Sequence, residues 1–128
     1  MKEQNIQQLI RLAVSKHTTA TMFRNNTFKA MIGQTKRTDK GIHIANPRQI
    51  EGGLCVGSSD LIGWTSKTIT PDMVGKKIAI FTALEVKKPG GRIKPEQTKF
   101  VNAVLKAGGI AGFPRSESDA VEIINTIL

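Results

Sequence analysis

A carboxylate and an ammonium group stand two positions apart at the end of the most apolar segment of the chain. This segment, from Ile78 to Val86, predicts a strand that carries Glu85 and Lys87 at its C-terminal end. Because successive side chains of a strand point to opposite faces, Glu85 and Lys87 point to the same face. Burying either charge without a partner is costly, so the pair predicts a polar site at this strand end.

Asp60 supplies a second carboxylate to the predicted site. It follows a run of small residues and stands at the head of a predicted strand from Leu61 to Thr70. If this strand pairs antiparallel with the next one, Asp60 lies opposite Glu85. Two carboxylates held a few ångströms apart repel each other, and a divalent cation removes that repulsion. Oxygen ligands favour Mg²⁺ or Mn²⁺ over zinc.

Together, Asp60, Glu85 and Lys87 have the chemistry of a phosphodiesterase. A divalent ion polarises a phosphoryl oxygen and lowers the pKa of a bound water molecule. Lys87 beside the ion can orient that water or balance the charge of the transition state. The Glu-x-Lys spacing alone is common by chance, and a solvated strand end with a surface ion pair is the alternative explanation.

The charge balance points to a polyanionic partner. Nineteen Lys and Arg against ten Asp and Glu give a formal net charge of +9, and six of the basic residues lie between Arg24 and Arg48. A basic middle followed by a neutral-to-acidic C-terminal region predicts one positive face, as binding to nucleic acid requires. A ribosomal or merely basic soluble protein is the alternative.

The N-terminal half predicts one helix followed by extended and irregular structure. Residues 3–16 carry apolar residues at the spacing of one helical face. Residues 18–31 are rich in Thr, Phe and Met, which favours extended structure. Residues 33–53 are polar, basic and without periodicity, so they predict a long loop or an irregular hairpin with a short strand at Ile42–Ile44.

The C-terminal half predicts a helix, a short strand and a final helix. Pro95 suits the first position of a helix, and Gly108-Gly109 suits a left-handed C-terminal cap. An apolar strand follows at 110–113, and Ser116 or Ser118 can cap the last helix. The predicted order is α-β-β-β-α-β-α, which describes one α/β domain over residues 1–128 with a central mixed sheet.

Two predicted helices carry a polar residue at the end of an apolar stripe. Gln97 begins the stripe of the second helix, which places it over the sheet end where the preceding strand finishes. A glutamine that binds exposed backbone amides at the helix start is the alternative. Glu3 extends the stripe of the first helix toward the sheet edge, although an acidic residue favoured by the helix dipole explains it as well.

These residues resemble a known family of nucleases. Gly57–Gly63, Glu85-Val86-Lys87, Pro95-Glu96-Gln97 and the ending helix-Gly-Gly-strand are similar to the VRR-NUC nucleases of the PD-(D/E)xK superfamily. The similarity covers nearly the whole chain, including Glu3 and the Arg24-Asn25-Asn26 segment, and the chain looks most like the small stand-alone phage members. The family often has Pro before the motif aspartate, where this chain has Ser59.

The resemblance implies a restriction-endonuclease-like fold and a role for each residue. Asp60 and Glu85 would bind Mg²⁺ or Mn²⁺ together with the Val86 carbonyl and Glu3. Asp60, Glu85, Lys87 and Gln97 would form the catalytic set, in which Gln97 supports the others. The resemblance also implies a homodimer that cleaves branched DNA, such as Holliday junctions, in the cytoplasm of a bacterial host. Six basic residues are predicted to contact the DNA: Arg24, Lys36, Arg37, Lys88, Arg92 and Lys94.

Other chemistries have less support in the sequence. His17, His43 and the single Cys55 lack the spacing of a zinc site, and a lone cysteine fits a reducing compartment. The first residues do not look like a signal peptide, and no apolar run reaches the roughly 18 residues of a membrane helix. Two other functions stay open: a non-catalytic DNA-binding module that keeps the nuclease fold, and a basic structural or ribosome-associated protein.

Overall fold

The computed structural model describes residues 2–126, which divide into two compact units. The first contains the residues up to Ala13 together with Met22–Ile62, and the second contains Val14–Thr21 together with the residues from Gly63 onward. The proposal that residues 1–128 form a single domain remains a prediction. No helix in the described part of the chain is long and apolar enough to cross a membrane.

The described residues form a mixed α/β structure with three α-helices, one 3-10 helix and six strands. In chain order these are α1 (Glu3–His17), β1 (Ala20–Arg24), β2 (Phe28–Thr38), β3 (Gly41–Gly52), β4 (Leu61–Thr65), the 3-10 helix (Pro71–Met73), β5 (Thr82–Leu84), α2 (Pro95–Lys106), β6 (Ile110–Gly112) and α3 (Glu117–Ile124). The three predicted helices are therefore present, but five strands precede α2 where three were predicted.

The predicted central mixed sheet is absent from residues 2–126. The strands form three two-stranded sheets instead, which pair β1 with β4, β2 with β3, and β5 with β6. The expected antiparallel pairing of β4 with β5 is therefore wrong. β5 pairs instead with β6 in parallel, because the helical crossover through α2 returns the chain in the same strand direction.

Residues 28–52 form a long antiparallel hairpin, so the prediction of a long loop is wrong and the alternative of a hairpin is right. The register runs from Phe28 opposite Gly52 to Thr38 opposite Gly41, with one bulge between Ile32 and Gln34. Most side chains of both strands are exposed. Because neither face is buried, the sequence has no alternation of apolar and polar residues that would have revealed the strands.

The core of the second unit forms beneath α2. Val101 and Val104 of this helix are buried, and the Trp64 ring lies 5.1 Å from the Phe81 ring and 6.3 Å from the Phe100 ring. Helix α2 ends before Gly108, which has a positive φ of 95° and confirms the predicted left-handed cap. This packing fixes the first turn of α2 relative to the end of β5.

Candidate active site

Glu85, Lys87 and Gln97 form one polar cluster at the end of β5. The ammonium Nζ of Lys87 lies 3.2 Å from Oε1 of Glu85, and the amide Nε2 of Gln97 donates a hydrogen bond of 2.6 Å to the same oxygen. The Lys87 side chain is 14% exposed and the Glu85 side chain 40% exposed. A charge pair in this partly desolvated position interacts more strongly than one on the open surface.

The backbone explains why Glu85 and Lys87 meet. The N–H groups of Glu85 and Lys87 donate hydrogen bonds of 3.0 Å to the carbonyls of Gly112 and Pro114, so the pairing with the β6 segment continues beyond the assigned strand. Both side chains therefore leave the same face, and the side chain of Val86 between them is 75% exposed. Pro114 has no N–H to return to Glu85, and the regular ladder ends here.

Gln97 joins the start of α2 to Glu85 at the end of β5. Its Oε1 accepts a hydrogen bond of 2.9 Å from the backbone N–H of Lys94, the residue that precedes the helix, while its Nε2 reaches Glu85. The structure thus combines the two readings of this residue, because one side chain satisfies a free amide at the helix start and also holds the carboxylate.

An open groove adjoins the cluster between β5 and α2. Its volume is about 390 Å³, and its lining residues are Ala83, Leu84, Glu85, Glu96, Gln97, Phe100 and Val101. Glu96, in the first turn of α2, brings a second carboxylate to this groove. In the sequence, Glu96 stands out only as part of Pro95-Glu96-Gln97, although its place in the first helical turn beside Gln97 could have revealed it.

Arg115 is a second residue that the sequence analysis missed. Its guanidinium donates hydrogen bonds to the carbonyls of Lys88 (2.7 Å) and Gly91 (2.9 Å). These two residues delimit a tight turn in which the N–H of Gly91 donates to the carbonyl of Lys88 and Gly90 has a φ of 73°. Arg115 therefore ties down the turn that directly follows Lys87.

Asp60 belongs to the first unit, where Asn25 holds its loop. The N–H of Asn25 donates to the carbonyl of Asp60 at 2.9 Å. The side-chain Nδ2 of Asn25 donates to Ser58 Oγ (2.7 Å) and to the carbonyl of Ser59 (3.0 Å), while its Oδ1 accepts the N–H of Leu54 (2.9 Å). The Asp60 side chain itself is exposed. Asn25 therefore ties together the loop that leads into Asp60, although in the sequence it stands out only as part of the Arg24-Asn25-Asn26 segment.

A family model for the VRR-NUC domain matches residues 1–117 of this chain. The chain belongs to the VRR-NUC domain family. Neither a curated protein nor a solved structure matches it. The resemblance found in the sequence is thus confirmed, and the family is one of nuclease-type, DNA-processing domains.

The other predicted residues of this VRR-NUC domain lie at exposed positions. Glu3 lies in the first turn of α1 in the first unit and accepts a long hydrogen bond of 3.5 Å from Gln7. The predicted DNA contacts are exposed: Arg24, Lys36 and Arg37 in the first unit, and Lys88, Arg92 and Lys94 in the second. Their roles remain predictions.

The donor set of this VRR-NUC domain suits a hard divalent cation. Within residues 2–126 no group of three or more His, Cys, Asp or Glu side chains is placed to hold a metal ion. The cluster nevertheless offers oxygen atoms that could bind a metal ion. Both polar contacts of Glu85 involve its Oε1, and no described residue makes a polar contact with its Oε2. The Val86 carbonyl likewise accepts no backbone hydrogen bond from these residues. Carboxylate and carbonyl oxygens are the ligands that Mg²⁺ and Mn²⁺ prefer.

Proposed function

We propose that this VRR-NUC domain is a Mg²⁺- or Mn²⁺-dependent DNA endonuclease that hydrolyses phosphodiester bonds and selects branched DNA. The observation that carries the proposal is the cluster of Glu85, Lys87 and Gln97, in which an ammonium and an amide meet one carboxylate oxygen beside an open groove. The formal net charge of +9 supports a polyanionic substrate.

Lys87 supplies a fixed positive charge. Its ammonium lies against Glu85 with a largely covered side chain, so it is held in one place before a substrate arrives. A preorganised cation in a partly desolvated site stabilises developing negative charge better than a solvated one. In this role Nζ donates to a non-bridging oxygen of the scissile phosphate or orients the attacking water.

Glu85 supplies the carboxylate around which the site is built. The amide of Gln97 fixes its orientation through Oε1, which leaves Oε2 available to a cation or to a water proton. Glu85 and the Val86 carbonyl would hold the metal, with Asp60 and Glu3 as the further ligands that the sequence resemblance supports. When bound, the ion would act as a Lewis acid on the phosphoryl group and on water.

Selectivity for branched DNA and action as a homodimer complete the proposal. A chain with one active site cuts one strand at a time, so symmetric cleavage of a four-way junction requires two copies. The exposed basic residues Lys88, Arg92 and Lys94 lie between Lys87 and α2, where they would bind the backbone of the DNA that enters the site.

The test compares cleavage of a four-way junction, a flap and a plain duplex in Mg²⁺. Glu85→Ala and Lys87→Ala are expected to lower kcat by about 10²–10⁴-fold, the range of a lost catalytic group. Glu122→Ala and Lys106→Ala, which remove the same charges from exposed positions on α3 and α2, serve as matched controls and should cleave like the wild type.

Cleavage that survives both Glu85→Ala and Lys87→Ala would refute the proposed site. Tight binding of all three substrates without cleavage in Mg²⁺ or Mn²⁺ would instead favour the non-catalytic DNA-binding module. Equal cleavage of junction, flap and duplex would refute the selectivity and leave the nuclease activity standing.

A further inference from the structure

The β2–β3 hairpin is a long ribbon in the first unit with two open edges. Within the described residues neither strand pairs with a third one, and most of its side chains are exposed. An isolated two-stranded hairpin is only marginally stable in water, and its open edges invite pairing with other chains. A ribbon of this length is therefore suited to a partner that it meets in function.

The distal part of the hairpin, residues 34–45, carries positive charge. Lys36, Arg37 and Lys40 lie here against the single acid Asp39, and no ion pair joins them to any other described residue. Near the base, in contrast, Lys29 is paired with Glu51 at 3.6 Å. The charge available for a partner is thus concentrated toward the tip.

The two faces of the distal ribbon both carry a cation. Lys36 lies opposite His43 and Arg37 lies opposite Ile42, and because neighbours alternate, Lys36 and Arg37 project from opposite faces. A ribbon that rests flat on a protein partner needs one charged face. A ribbon that enters a nucleic-acid groove edge-on has phosphates opposite each of its two faces.

We infer that the distal β2–β3 ribbon enters the major groove of B-form duplex DNA and contacts the phosphates of both strands through Lys36 and Arg37. This inference rests on the proposed function for its choice of nucleic acid. The major groove of B-DNA, about 12 Å wide, admits a two-stranded ribbon. The major groove of an A-form RNA duplex is too deep and narrow for side chains to read.

The experiment measures equilibrium binding to a fluorescent 20-base-pair DNA duplex and to the matching RNA duplex, in EDTA and at several salt concentrations. Binding without metal separates this inference from catalysis, because a failed nuclease can still bind DNA. The test variant is Lys36→Ala with Arg37→Ala. Its charge-matched control is Lys76→Ala with Lys77→Ala, an exposed basic pair in the second unit.

A plot of the logarithm of the association constant against the logarithm of the salt concentration has a negative slope, and loss of two phosphate contacts makes this slope less steep by about 1.8. Between about 50 and 200 mM salt, the wild type should therefore lose about 12-fold more affinity for the DNA duplex than the test variant. The control should keep the wild-type slope. A charge-preserving variant, Lys36→Arg with Arg37→Lys, should keep it too, which separates lost charge from a damaged hairpin.

A second variant removes most of the distal ribbon and retains the strand pairing of the other residues of the hairpin. Residues 36–43 are replaced by Asn-Gly, which joins Thr35 to its partner Ile44 through a two-residue turn. This variant should match the double alanine variant in slope. Equal slopes for the test and control variants, or equal loss on the DNA and RNA duplexes, would overturn the inference. So would a hairpin that proves to be covered by a second copy, seen as a dimer that the shortened variant cannot form.

Discussion

Replacing Gln97 by glutamate tests whether the amide holds the Glu85 carboxylate. In the wild type, Oε1 of Gln97 accepts the N–H of Lys94 at 2.9 Å, and Nε2 donates to Glu85 at 2.6 Å. A glutamate is able to make the first contact, because it is an ordinary partner for a backbone amide at a helix start. Gln97→Glu therefore keeps the helix cap and replaces only the donor to Glu85 with a negative charge.

The expected cost follows from the two interactions that change. A hydrogen bond to a charged group contributes about 1.5–3 kcal/mol. Two carboxylates about 4 Å apart repel by about 4 kcal/mol at an effective dielectric constant of about 20. Because Glu85 is 40% exposed and Lys87 lies 3.2 Å from it, most of this repulsion is screened. We expect the free energy of unfolding at neutral pH to fall by about 2–3 kcal/mol.

Urea unfolding at low and high salt distinguishes this electrostatic cost from simple loss of packing. The Debye length falls from about 30 Å at about 0.01 M to about 3 Å at about 1 M ionic strength, so salt screens the repulsion between the two partly exposed carboxylates. The deficit of the variant relative to the wild type should therefore shrink as the salt concentration rises.

The control is Gln97→Ala, which removes the cap and the donor together and introduces no charge. Its deficit should change little between low and high salt. If Gln97→Glu shows the same deficit at low and high salt, the introduced charge does not act on Glu85 and the reasoning is refuted.

Three other outcomes are expected from the same geometry. At a hundred times its Kd, Mg²⁺ should add about 2.7 kcal/mol to the free energy of unfolding of the wild type and so raise its melting temperature. In a thermal melt, Glu85→Gln should abolish this rise. Arg115→Ala removes the hydrogen bonds of the guanidinium to two carbonyls of the turn after Lys87. We therefore expect kcat on a junction to fall about tenfold with little change in KM, and Arg115→Lys should restore part of it. Asn25→Ala removes three side-chain hydrogen bonds from the Asp60 loop and should cost about 1–3 kcal/mol in urea unfolding, whereas Asn26→Ala should cost little.

The elements best predicted from the sequence are those with local signals. Pro95 and Gly108 bracket α2 as expected, and Ser116 caps α3 by accepting the N–H of Asp119 at 3.1 Å. The alternation that puts Glu85 and Lys87 on one face is also local, and the structure joins the two side chains. Such features depend on a few neighbouring residues, so the sequence contains all the information needed.

The strand partners could not be predicted because they depend on contacts between distant segments. Nothing local in Leu61–Thr65 says that its partner is β1 rather than β5. The long hairpin gave no signal for another reason: with both faces in solvent, Lys36, Arg37 and their neighbours follow no burial pattern. Periodicity predicts a strand only where one face is buried.

Asn25 shows how a departure from the family pattern can be offset from elsewhere in the chain. A proline before the motif aspartate would restrict the backbone, and Ser59 does not. Here the restriction comes from Asn25, 34 positions earlier, which binds the Ser59 carbonyl and the Ser58 hydroxyl with one amide. Ser58 in turn donates to the Cys55 carbonyl at 2.7 Å, so the loop is tied at both ends. Hydrogen bonds to a side chain can be lost by a single substitution, whereas a ring constraint is covalent. The backbone conformation of the loop before Asp60 therefore depends on an asparagine outside the motif.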